Sequence, residues 1–180
     1  IHELSKRSPK VISLHSLQEI PPDTRAIFDT NILVYWVTDH PRYGKLCTEC
    51  VKRVEKGEIQ GVIPATILNE LLHRIMIAET VEKGYACTSQ DAVRVLKEDP
   101  AIIRHLTIAG NVYDSLRTIG SATSENERGI SGLMYHFSKE LCLMAKDAAI
   151  VAYAHTFTLA HIVTNERDFQ RVKWLTCWGP

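Results

Sequence analysis

The sequence predicts an α/β protein built on a parallel sheet, and three observations carry that prediction. Short apolar runs at 26–28, 59–63 and 160–163 are bounded by small polar residues or proline, as strands buried on both faces are. Longer stretches between them repeat apolar residues at helical spacing. The resulting order of strand, helices, strand, helices and strand demands crossover connections, which parallel strands need.

Taken in order, residues 1–25 are mixed and polar, and they close in Pro21-Pro22-Asp23-Thr24-Arg25. The paired prolines read as a connector. We take 1–25 as an N-terminal extension packed on a domain of residues 26–180, with Val11 to Ile20 forming a short strand or a helix. Ala26-Ile27-Phe28 is the first strand and runs into Asp29-Thr30-Asn31. Ile32 to Val37 begins a helix, although its β-branched and aromatic residues disfavour one on propensity. Residues 42–56 are helical in pattern and end at Gly57, a C-cap. Ile59 to Ile63 is the second strand. Pro64 suits the first turn of a helix that continues from Ala65 to Lys83 and stops at Gly84. Ser89 is placed to cap a helix through Lys97, and Pro100 permits a new start with helical periodicity through Leu116. Gly120 to Gly129 reads as an exposed loop. Residues 131–157 are helix-like with breaks expected near Glu140 to Lys146, and Ala160 to Val163 is the third strand.

Composition bounds the partners. An apolar content of 45% in 180 residues is enough for the core of one domain. Acidic and basic side chains balance at 21 each, so no global basic field draws in nucleic acid. Nucleic-acid binding would need a local basic face or metal ions. The same balance excludes a highly charged disordered tail. Cys47, Cys50, Cys87, Cys142 and Cys177 are odd in number and read as reduced thiols of a cytoplasmic protein. No apolar run approaches the roughly 20 residues that cross a bilayer, so no membrane association is expected. Ile1 to Arg7 lack the apolar stretch of a secretion signal.

The carboxylates point to chemistry. Ligands of an open parallel sheet bind beyond the carboxyl ends of its strands. Asp29 follows the first strand, and Glu166 and Asp168 follow the last in Thr164-Asn165-Glu166-Arg167-Asp168-Phe169, so both segments open onto one edge. Glu70 lies within two turns of the helix after the second strand. Asp147 lies in the Ala-rich stretch from Ala145 to Ala152, with Leu143, Met144, Ile150, Val151 and Ala154 at helical spacing and expected to face the core. A lone carboxylate at the edge of such a stripe is costly, and several together raise each other's pKa. A divalent cation removes both problems, and Mg2+ and Mn2+ prefer carboxylate and water oxygens. Such a site suits phosphodiester hydrolysis without a general-base histidine, the carboxylates orienting water or accepting its proton. Any one Asp at a strand end is more often a turn or N-cap residue; only the set carries the reading.

At these residues the sequence resembles the PIN-domain family and, within it, the VapC-type toxins of toxin–antitoxin pairs. The matching pieces are Ile27 to Leu33, Pro64 to Leu71, Ala145 to Ala152 and Ile162 to Phe169, and they occur in the family's order across 26–172. The resemblance implies a three-layer α/β/α fold around the parallel sheet and cleavage of RNA dependent on Mg2+ or Mn2+. It implies that Asp29, Glu70 and Asp147 are catalytic and metal-binding, with Asp168 or Glu166 as the fourth acid. Thr30, Asn31, Thr164 and Asn165 match the residues that position the acids or water. A homodimer and an antitoxin partner are also implied. Two departures bear on the toxin assignment. The first Asp lies at position 29 rather than close to the amino terminus, and the segment from Gly84 to Gly129 is long for a small toxin. A housekeeping RNA-processing nuclease and a non-enzymatic module with a retired site are the alternatives.

Other features are weighed against bland explanations. Cys47-Thr-Glu-Cys50 has redox or zinc half-site spacing, but it sits in a helical pattern with no second pair, so a structural role is expected. His73 lies near the face of Glu70, and His155 and His161 suit capping. Arg167, Arg171 and Lys173 either hold RNA phosphates or are solvated surface. Lys45, Lys52, Arg53 and Lys56 read as a soluble helix face. Tyr35, Trp36 and Phe169 are expected to pack rather than stack a base. An aspartyl-nucleophile phosphatase of the haloacid-dehalogenase type would want a second Asp at position 31, where Asn31 stands. A receiver domain would want an acidic pair that Pro22 to Arg25 do not supply.

Overall fold

The computed structural model describes residues 14–118 and 130–180. Within them five strands, β1 (His15–Ser16), β2 (Arg25–Phe28), β3 (Gln60–Val62), β4 (His161–Val163) and β5 (Thr176–Gly179), form one sheet in the order β1-β5-β4-β2-β3. Every pairing is parallel. The α-helices among the described residues are α1 (Thr30–Val37), α2 (Gly44–Glu55), α3 (Ala65–Glu82), α4 (Ser89–Glu98), α5 (Ile108–Thr118), α6 (Ile130–Leu141) and α7 (Ala145–Thr156). The α/β class, the parallel sheet and its crossover helices are as the sequence predicts. The loop expected over Gly120 to Gly129, and the first 13 residues of the extension, lie outside the described residues.

Register explains why the site forms where it does. Phe28 of β2 pairs with Val163 of β4, so the residues that follow, Asp29 and Thr164, leave the sheet side by side. From β2 the chain crosses to β3 on one side, and from β4 it crosses to β5 on the other. That reversal opens a crevice at the carboxyl ends of β2 and β4. Ile27, Ile162, Val163, Val151 and Phe169 are fully buried beneath it. Their removal from water is the main favourable term holding the crevice rigid. Among the described residues no helix is long and apolar enough to cross a membrane.

Several local expectations need correction. Strands β1 and β5 are additional to the three expected. β1 has only two residues, and β5 pairs through contacts such as the Thr164 amide donating to the Trp178 carbonyl at 2.8 Å. Val11 to Ile20 is neither one strand nor one α-helix in its described part: β1 is followed by a 3-10 turn at Leu17–Glu19. This segment is tied down by Arg53, whose guanidinium donates to the carbonyls of Leu17 and Ile20. Thr88, rather than Ser89, caps α4, its hydroxyl accepting from the Asp91 amide. The helical stretch from Pro100 to Leu116 is split into a 3-10 helix (Pro100–His105) and α5. The break has a distant cause. Buried Glu79 of α3 accepts hydrogen bonds from the Thr107 and Ile108 amides and so caps α5 from outside its own sequence. Gly57 and Gly84 do end α2 and α3 with left-handed φ of 75° and 76°. Met144, expected to face the core, is 74% exposed because it is the N-cap of α7 and lies outside the helical register.

Candidate metal-binding active site

Asp29 is the N-cap of α1. One carboxylate oxygen accepts from the Thr30 amide at 2.7 Å, and the other accepts from the Thr164 hydroxyl at 2.9 Å. The side chain is almost wholly buried. Burial pushes its pKa up, the nearby Glu70 charge adds to this, and the bonds from Thr164 and Thr30 with the Lys146 charge only partly offset it.

Thr30 joins two acids. Its amide holds Asp29, and its hydroxyl donates to Oε2 of Glu70 at 3.0 Å. Pro64 starts α3 so that Glu70 comes back over the crevice in the helix's second turn. Arg74 pairs with Oε1 of Glu70 at 2.7 Å and Lys146 with Oε2 at 2.5 Å. Burial alone would raise the Glu70 pKa, but Lys146, Thr30 and Arg74 outweigh it and hold it low.

Asp147 occupies the first turn of α7, where the helix dipole favours an anion. Among the described residues its carboxylate has no hydrogen-bond or ion-pair partner. Its pKa is nevertheless raised, first by burial and then by the charges of Asp29, Glu166 and Asp168, with Lys146 opposing. The acidic charges that act on Asp147 thus come from distant segments of the chain. Glu166 acts on Asp147 more strongly than Asp168 does. Asp168 is drawn into a 2.7 Å ion pair with Arg171, which also donates to the Cys142 carbonyl.

The remaining candidates divide. Thr164 is fully buried, donates to Asp29 and accepts from the Glu166 amide, so it links both sides of the crevice. Asn165 donates to the Tyr35 hydroxyl at 3.2 Å, and Asn31 accepts from Arg74 at 3.3 Å; neither bonds an acid directly. Arg167 stands on the 3-10 turn Arg167–Arg171 and forms no ion pair among the described residues. Phe169 is core, as expected, and Cys47 and Cys50 are buried thiols whose pKa values burial pushes up to about 11 and about 12.

Lys146 and Arg74 are the site residues that sequence reasoning missed. Signals existed for both: Lys146 adjoins Asp147, and Arg74 lies four residues after Glu70, the spacing of a helical ion pair. Their presence shapes the donor set. Among the described residues no three His, Cys, Asp or Glu side chains converge closely enough to share an ion as they stand. Glu70 is held by two cations and Asp168 by one, whereas Asp29, Asp147 and Glu166 have no ion-pair partner among the described residues. Hard carboxylate oxygens without a counter-charge fit a divalent cation such as Mg2+ or Mn2+.

A family model described as the PIN domain matches residues 26–175. Ribonuclease VapC2 of Methanocaldococcus jannaschii is 26% identical over 153 residues, covering 85% of this chain and 92% of that relative. Among solved structures, the crystal structure of VapBC2 from Rickettsia felis bound to a DNA fragment from their promoter superposes with a TM-score of 0.52. It covers 87% of this chain and 99% of the matched one at 16% identity, a likeness of fold.

Proposed function

The chain belongs to the PIN-domain family, and on that premise we propose that it is a divalent-metal-dependent endoribonuclease and the toxin of a type II toxin–antitoxin pair. The observation that supports the reading is that Asp29 and Thr164 leave the adjacent strands β2 and β4 side by side and are hydrogen-bonded, with Glu70 tied to Asp29 through Thr30. The relative named a ribonuclease supports RNA as the substrate, and the VapBC2 neighbour supports an antitoxin partner.

Asp29, Asp147 and Glu70, with Glu166 or Asp168, would hold the ion. When bound, it supplies Lewis-acid stabilisation of phosphodiester charge and activates water for attack. The chain's own residues do the positioning. Thr164 and the Thr30 amide fix both oxygens of Asp29, so the carboxylate cannot rotate away. The Thr30 hydroxyl aims Glu70 toward it. Burial of Asp29 excludes competing water and strengthens charge interactions there. Arg167, on the turn after β4, would meet RNA phosphates, and Arg171 would do so on leaving its pairing with Asp168. In solution we expect a cytoplasmic homodimer that an antitoxin covers.

Cleavage of defined RNAs, with cut sites mapped, tests this. Activity should vanish in EDTA and return with Mg2+ or Mn2+. Asp29→Asn should lower the rate by a factor on the order of 100 or more while the fold persists. Cleavage indifferent to EDTA, or full activity in Asp29→Asn, rejects the assignment.

A further inference from the structure

We propose that Lys146 is the site's own counter-ion, a cationic plug on the Glu70 oxygen that faces Asp29, which must swing aside before a divalent ion binds. The inference rests on the metal-site reading above.

Both oxygens of Glu70 are engaged by basic side chains, but the two are not equivalent. Arg74 takes Oε1 and also donates to Asn31, which anchors it on the outer side of α3 against α1. Lys146 takes Oε2, the oxygen that Thr30 also bonds. Thr30 holds Asp29 through its amide, so Oε2 is the oxygen on the Asp29 side. Lys146 precedes Asp147 on the first turn of α7, and its charge favours the ionised forms of Asp29, Glu70 and Asp147 alike. The ammonium contacts Glu70, and its charge reaches the two aspartates at longer range.

A monovalent ammonium and a divalent ion cannot both sit against the same oxygens, since like charges a few ångströms apart repel strongly. Lys146 has the means to leave: its side chain is 42% exposed, on a flexible stem with a solvent path. In the metal-free protein the plug relieves repulsion among the acids and occupies the Glu70 oxygen that faces Asp29. This accounts for acids that influence one another yet do not converge on a common ion position. Metal loading then carries the cost of displacing an ion pair, which sets the affinity.

The test is calorimetric titration of Mn2+ into the purified chain, with thermal melts in EDTA and in saturating Mn2+. Lys146→Met should bind Mn2+ about tenfold more tightly than wild type, the effect of removing one adjacent positive charge. It should melt lower in EDTA and gain more from Mn2+. Lys146→Arg should stay near wild type, and Arg74→Met should shift affinity less, because Arg74 lies on the outer oxygen. Lys146→Gln serves as a second neutral variant should the methionine variant misfold. Equal or weaker Mn2+ binding in both neutral variants overturns the plug and leaves the metal site standing. No specific Mn2+ uptake by any of the proteins overturns the metal site and the plug together.

Discussion

The Thr164 hydroxyl donates to Asp29 Oδ2 at 2.9 Å, joining residues 135 positions apart in the chain. The bond exists because β2 and β4 are register-matched neighbours that end together, Phe28 against Val163. The same oxygen of Thr164 accepts from the Glu166 amide, so one buried hydroxyl organises both banks of the crevice. Thr164→Val keeps the volume and removes both interactions. It should destabilise the protein by about 1–3 kcal/mol, the cost of leaving buried polar groups unpaired. Urea melts would read the stability, and RNA cleavage should fall as Asp29 loses its orientation.

Asp147 gives a signed pH dependence. Its folded-state pKa is raised above 3.8, so its charge costs stability in the metal-free fold. Below the unfolded value both states are protonated and the cost is absent; it grows as pH rises through the folded value and is complete above it. In EDTA at pH 7, Asp147→Asn should therefore melt a few degrees above wild type. The gap should close as pH falls toward 3.8. A wild-type protein that melts higher than the variant at neutral pH contradicts this.

Glu79 works in the opposite sense. Burial would raise its pKa, but Lys83 and the amides of Thr107 and Ile108 outweigh it and hold the pKa below 4.5. A lowered folded value means its stabilisation is present above the unfolded pKa and is lost as pH falls through the folded one. Glu79→Gln should cost about 1–3 kcal/mol at pH 7. The loss should shrink in acid, and faster amide exchange should be confined first to α5, whose N-terminus Glu79 caps.

Glu166 and Asp168 are separable as fourth acids. Asp168 is occupied by Arg171, whereas Glu166 has no ion-pair partner among the described residues and acts more strongly on Asp147. Glu166→Gln should weaken Mn2+ binding by about tenfold, and Asp168→Asn by less. Calorimetry on the two variants reads the order directly, and the reverse order would assign the role to Asp168.

The sequence by itself determined the local grammar of this protein. Apolar runs ending in Asp29 and Thr164 marked the central strands, glycines 57 and 84 marked helix ends, and the spacing of Glu70 and Asp147 placed each on a helix. Those features depend on neighbours within a turn or a strand, and periodicity records them. The tertiary structure decided what depends on distance through space. It paired β1 with β5 and stopped one helix to start another at Glu79. It also set Lys146 and Arg74 on Glu70 and gave Arg171 to Asp168 rather than to solvent. An ion pair is decided by where two side-chain tips meet after packing, and the identity of adjacent residues carries only a faint trace of that.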